Sequence, residues 1–90
     1  MKQASSLMNP SVRNPGQIGV ILRRERRARG LTQAQLGDLI GRRQATISKL
    51  EKGDAGIQLG TLFDVLAALN LDVRIVSRAA GSQATIESVF

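Results

Sequence analysis

Residues 31–53, LTQAQLGDLIGRRQATISKLEKG, are the stretch whose reading decides the fold. Thr32 stands where a helix N-cap belongs, and Gln35, three residues on, completes a capping box. Leu36, Leu39 and Ile40 then fall on one face of a short helix, and Ile47 and Leu50 on one face of a second. Only Gly41, Arg42 and Arg43 separate the two, enough to reverse direction at Gly41 and nothing more. Helices joined this tightly form a helix-turn-helix unit, whose second member can enter a DNA major groove. That second helix is expected from Gln44 to Lys52, with Gly53 as its cap. It turns Ile47, Leu50 and, in part, Ala45 inward, and Arg43, Gln44, Ser48, Lys49 and Lys52 outward.

Upstream, the pattern is helical from about Gln17 to Arg29. Ile18, Ile21, Leu22 and Glu25 share one side, and Arg23, Arg24, Arg26, Arg27 and Arg29 crowd the rest. Like charges at helical spacing repel, so partners are expected: Glu25 for Arg29 at i,i+4, Glu51 from elsewhere in the chain, and an external anion for the others. Gly30 closes the helix as a left-handed residue, with Arg29 in the favourable last turn. Residues 1–16, rich in Ser, Asn, Pro and Gly, read as a flexible N-terminal arm.

Downstream, residues 53–58 (GDAGIQ) are a loop into which Ile57 can tuck. A further helix from Leu59 to Leu69 carries Leu59, Leu62, Leu66 and Leu69 at 3–4 spacing, widened by Phe63 and Val65, with Gly60 lowering propensity in its first turn. At Leu71–Ser77 the period changes to two: Leu71, Val73 and Ile75 alternate with Asp72, Arg74 and Val76, the pattern of a strand. No other segment reads as its partner. A lone strand leaves its backbone unpaired, so pairing with its copy across a two-fold axis is the economical expectation. A segment lying on the helices is the alternative. Residues 78–90 read as a mobile tail. The domain division is therefore 1–16, a DNA-binding domain at 17–70, a dimerisation strand at 71–77 (Leu71, Val73, Ile75), and 78–90.

Ninety residues make one small domain, marginal unless something extends its core. Thirteen Lys plus Arg against seven Asp plus Glu leave a formal charge of +6, which points first to an anionic partner. With no Cys and no His, disulfides, thiolate chemistry, zinc fingers and imidazole catalysis are all excluded. No clustered carboxylate pair and no Gly-rich phosphate loop in a strand-to-helix context is present, so an enzyme is the weakest reading, and neither metal nor cofactor is expected. No apolar run is long enough to span a membrane and no signal peptide is evident, so a soluble, cytoplasmic protein is expected.

The polar residues sort by chemistry. Gln pairs bidentately with adenine, Arg or Lys with guanine, and Ser with either kind of base edge. Free N–H groups at Thr32 and Gln33, opening the first helix of the pair, form a phosphate anchor. For any single one of these side chains an ordinary solvated face is the competing reading. It loses ground because the helix pair, the glycine turn and the net charge agree.

At this point the residues resemble a known group. Gln17–Leu69 is similar to the Cro/C1-type (Xre-like) helix-turn-helix domain of phage and bacterial repressors. The resemblance rests on Leu22-Arg23-x-x-Arg26-x-x-x-Gly30-Leu31-Thr32-Gln33-x-x-Leu36-Gly37 and Gln44-x-x-Ile47-Ser48-x-x-Glu51-x-Gly53. The run from Arg43 to Ser48 and the segment after the last helix also resemble the HipB-type antitoxins. The resemblance implies an all-α, lambda-repressor-like domain of four to five helices with one C-terminal strand pairing across a homodimer. It implies a structural ion pair between Arg26 and Glu51, which removes Arg26 from the free cations. It implies base reading by Arg43, Gln44, Ala45, Ser48 and Lys49, Ala45 offering a methyl contact to thymine. Arg23, Arg24, Arg27, Thr32, Gln33, Arg42, Thr46 and Lys52 are then the phosphate-binding set. Two positions depart from the pattern. Gly37 replaces the more usual Ala, and Arg43 stands where a capping Thr or Ser is common. The function implied is a dimeric repressor of a palindromic operator, acting as antitoxin to a HipA-like serine/threonine kinase toxin and repressing its own operon. A helix-turn-helix regulator with no toxin partner is the alternative.

Overall fold

The computed structural model describes residues 11–78. Within them the chain is all-α, a bundle of four helices: α1 Pro15–Ala28, α2 Gln33–Ile40, α3 Gln44–Glu51 and α4 Leu59–Ala68. Helix α1 starts two residues earlier than the apolar periodicity predicts. Pro15 and Gly16 read as breakers, but Asn14 is the N-cap and its side chain accepts from the Gln17 N–H at 2.9 Å. Pro15 at the first helical position loses no bond there, because its missing N–H is one the helix could not have used. Thr32 and Gln35 form the expected capping box on α2, the Gln35 N–H reaching the Thr32 hydroxyl at 3.0 Å and the Thr32 N–H reaching Gln35 Oε1 at 2.9 Å.

All four described helices end alike. A left-handed residue (Gly30, Gly41, Gly53 or Asn70) lets the next N–H return to a carbonyl five residues back. The bonds run from Leu31 to Arg26, Arg42 to Gly37, Asp54 to Lys49 and Leu71 to Leu66, at 2.8–3.2 Å. This motif satisfies otherwise orphaned carbonyls at each terminus. At Gly41, with φ of 69°, it is also the turn that reverses the chain between α2 and α3.

Leu22, Leu36, Ile47, Leu50, Val65, Leu66 and Leu69 form the buried core, with Ile18, Leu31, Ile40, Ile57, Leu62, Ala68 and Leu71 packed around it. Helix α3 packs between α1 and α2, and α2 rests on α4. Three expected core residues are exposed instead: Leu39, Leu59 and Phe63. On α2 the buried face is centred between Leu36 and Gly37, which puts Leu39 roughly 110° away round the helix. On α4 the inward face is centred near Val65, between Thr61 and Leu66, which puts Phe63 well round the helix; Leu59 shares the side of buried Leu66 and is exposed as the first residue of the helix. Ala45, expected partly inward, is exposed as well.

Two glycines inside helices are set by close approach. A Cβ on Gly19 would lie 2.5 Å from the Glu51 carbonyl oxygen, so α1 meets the end of α3 backbone to backbone. A Cβ on Gly37 would lie 2.7 Å from the Arg42 carbonyl oxygen. The small residue expected at the helix crossing is, in this chain, a position with no room for Ala unless the turn shifts.

Residues 71–77 leave the bundle without forming a strand within the single chain, and among the described residues the backbone of 72–78 has no hydrogen-bond partner. Leu71 packs on the core, but Val73, Val76 and Ile75 are 51 %, 74 % and 90 % exposed. The segment therefore does not lie on the helices. Residues 1–10 and 79–90, which include most of the expected arm and tail, fall outside the described residues. Among those described, no helix is long and apolar enough to cross a membrane.

Candidate nucleic-acid interface

Arg26 on α1 and Glu51 at the end of α3 form a buried ion pair, their side chains 8 % and 3 % exposed. Arg26 Nε donates to Glu51 Oε2 at 2.7 Å and Nη2 to Oε1 at 3.0 Å, a two-pronged pairing, and Nη1 caps the Leu31 carbonyl at 2.7 Å. Burial alone would push the Glu51 carboxyl up. The bonds from Arg26 and Gln33, helped by the positive charges of Arg26 and Arg23, hold it below the ordinary carboxylate range. The hydrogen bond to Glu51 raises Arg26 against its own desolvation. The pair ties α1 to α3, and its third bond reaches the connection into α2. No described buried side-chain polar atom lacks a partner.

The network continues to the surface. Gln33, the first residue of α2, donates from Nε2 to Glu51 Oε1 at 3.0 Å. Its Oε1 accepts from Nε2 of Gln44, the first residue of α3, at 2.6 Å. Gln33 thus joins the buried pair to the exposed start of α3. Neither glutamine bond is legible from sequence spacing, because 18 and 11 residues separate the partners.

On the outer side of α3, Arg43, Gln44, Ala45 and Lys49 are exposed, and Thr46 and Ser48 half-buried. Arg43 occupies the N-cap position in extended geometry, and its side chain makes no capping bond. A guanidinium has no acceptor and cannot cap these N–H groups, so the side chain is left exposed. On α1, Arg29 is held on Glu25 at 2.8 Å and Arg24 lies 3.6 Å from the same carboxylate. With Arg26 buried, Arg23 and Arg27 remain as exposed cations without an acidic partner among the described residues. Arg42 and Lys52, at either end of α3, are exposed too. The Thr32 N–H, expected free as a phosphate anchor, is taken by Gln35 Oε1 in the capping box; the hydroxyl oxygen accepts the other capping bond, which leaves only the O–H of this residue free to donate. Among the described residues no group of three or more acidic, His or Cys side chains is placed to hold a metal ion. Sequence reasoning passed over Gly19; a glycine inside an amphipathic helix was the available signal.

Residues 22–76 match the family model described as Helix-turn-helix, a span that takes in the extended segment beyond α4. The chain is 33 % identical over 79 residues to the HipB antitoxin of Escherichia coli O6:H1, an alignment covering 82 % of this chain and 84 % of that protein. It is 31 % identical over 74 residues to the HipB antitoxin of Escherichia coli strain K12, with the same coverage. Two solved structures superpose with TM-scores of 0.73 at 30 % identity, covering 78 % of this chain and 99 % of theirs. One is a HipA-HipB-O2-O3 complex and the other a HipB-O4 20mer complex.

Proposed function

This chain belongs to the helix-turn-helix family of HipB-type antitoxins, and from that premise we propose that it is a dimeric repressor that binds a palindromic operator. In this reading it is the antitoxin of a HipA-like serine/threonine kinase toxin, represses its own operon, and acts in the cytoplasm on the nucleoid. Helix α3 enters the major groove. Arg43, Gln44, Ala45, Ser48 and Lys49 read base edges, while Arg23, Arg24, Arg27, Thr32, Gln33, Arg42, Thr46 and Lys52 hold phosphates. The similar HipB complex with a 20mer supports the first part, and the similar complex with HipA the second.

The observation that carries this reading is the exposed outer side of α3, whose cations and amide stand on a buried ion pair that fixes their bearing. Rigid support of a reading surface is what positional specificity demands.

The second copy enters through Leu71–Ser77. Leu71, Val73 and Ile75 pair with the same strand of a two-fold mate, satisfying the open backbone of this segment and covering its exposed Val and Ile side chains. Two α3 helices are thereby set about one DNA turn apart.

Replacing Gln44 by Ala tests the DNA contact. Affinity for the selected operator should fall by about 1–3 kcal/mol, with binding to random duplex unchanged. Fluorescence anisotropy on both DNAs measures it, and equal loss on both would remove Gln44 from the reading set. For the partner, calorimetry with the kinase encoded beside this gene should show a large negative heat-capacity change. If no such gene adjoins and no kinase co-purifies, the protein is a regulator without a toxin.

A further inference from the structure

We infer that Glu51 is a specificity-determining positioning residue, whose carboxylate acts through Gln33 to set which end of the Gln44 amide faces the base. The inference rests on the proposed base-reading role of Gln44. An ionised carboxylate can only accept hydrogen bonds. The oxygen of Glu51 that lies 3.0 Å from the Gln33 amide must therefore face its nitrogen, never its oxygen. That turns Gln33 Oε1 toward Gln44, where at 2.6 Å it can face only the Gln44 nitrogen. Polarity is thus handed along three side chains, from a group with no donor to an amide at the surface. Glu51 is held ionised by the paired Arg26 at 2.7 Å, so the starting point of the relay does not fluctuate near neutral pH.

The consequence lies at the outer edge of Gln44. Its Oε1 and its second N–H are unengaged among the described hydrogen bonds, in a fixed order. An acceptor beside a donor complements the N6 amino group and N7 of adenine. Were residue 51 an amide, one of the two Arg26 bonds would be lost whichever way it turned, so nitrogen or oxygen could face Gln33 and both glutamines could reverse while keeping their bonds to each other and to residue 51. A reversed Gln44 sets its N–H against the adenine amino group, and the same N–H suits guanine O6. Glu51 thereby favours adenine over guanine at one base pair of each half-site without touching DNA.

The test uses the full chain, a binding site selected by the wild-type protein from random duplex DNA, and the variants Gln44→Ala, Glu51→Gln and Gln33→Met. Gln44→Ala identifies the base pair concerned, where wild type should prefer adenine to guanine by about ten-fold or more. Glu51→Gln and Gln33→Met should each reduce that ratio to within about three-fold; Gln33→Met, which also loses a phosphate contact, should in addition weaken binding to every duplex by a common factor. A purely structural role for Glu51 would weaken all DNAs together and leave the ratio intact. Gln33→Met leaves the Arg26–Glu51 pair whole, so it reports even if Glu51→Gln does not fold. Wild-type discrimination in Gln33→Met, or in a folded Glu51→Gln, overturns the inference. If wild type selects no site, or Gln44→Ala changes no position, the base-reading role of Gln44 fails first and the inference falls with it.

Discussion

Glu51 is the residue on which the most structure converges. It anchors Arg26, holds Gln33, and ends the helix whose backbone presses on Gly19. Removing either charge strands the other in a buried site, so Arg26→Ala or Glu51→Ala should each cost about 3–5 kcal/mol by urea denaturation. The pH dependence follows from the depressed Glu51 carboxyl. Its contribution is present at neutral pH and lost as pH falls from the ordinary carboxylate range through its own lower value. Stability curves against pH should therefore slope down on the acid side in the wild type, and less steeply in Glu51→Gln. The glycines make a paired prediction at the same scale. A Cβ on Gly60 meets nothing within 4 Å, so Gly60→Ala should stabilise by roughly 1 kcal/mol through helix propensity. Gly19 stands in a helix too, but its Cβ would strike the Glu51 carbonyl, and Gly19→Ala should lower the melting temperature. Both signs are read by thermal unfolding. The sequence flags both as helical glycines, but the sign at Gly19 depends on a neighbour 32 residues away in the chain.

Among the elements, α2 and α3 differ at their starts. Helix α2 has a complete capping box, whereas α3 begins at Arg43 with no side-chain cap. A cation at a helix N-terminus is also unfavourable to the helix dipole. In the proposed complex, the chain thus gives up local stability where it would present a cation to the groove. Arg43→Ser should raise stability by about 1 kcal/mol through a new cap while weakening operator binding, a trade measurable by denaturation and anisotropy on one sample. Helix existence, the turn at Gly41 and the left-handed endings at Gly30 and Gly53 were legible because caps and glycines act within a few residues. The inward faces of α2 and α4 were less so. Apolar periodicity marks a broad side of a helix, and the neighbouring helix chooses which part of it is covered.

At the scale of the whole molecule, the core of seven buried apolar residues among those described is small, and the exposed segment beyond α4 is where a second copy would enlarge it. In the dimer proposed above, Ile75→Lys should leave the four-helix domain folded, since Ile75 makes little contact with it, yet dissociate the dimer. Sedimentation equilibrium would show the loss, and the melting temperature should cease to depend on protein concentration. Operator affinity should fall far more than a single lost contact explains, because two half-sites would no longer be engaged by one particle.

What the sequence alone determined is local: the helix-turn-helix spacing, the caps and left-handed endings, and the basic character that calls for an anionic partner. Motif matching added one distant contact, the Arg26–Glu51 pair, which periodicity could not have supplied. The tertiary structure decided the rest. It turned Leu39 and Phe63 outward, brought Gly19 onto the end of α3, and linked Gln33 to Glu51 and Gln44. Each of these depends on where two helices cross, and a crossing is set by how side chains interlock, which no single window of sequence contains.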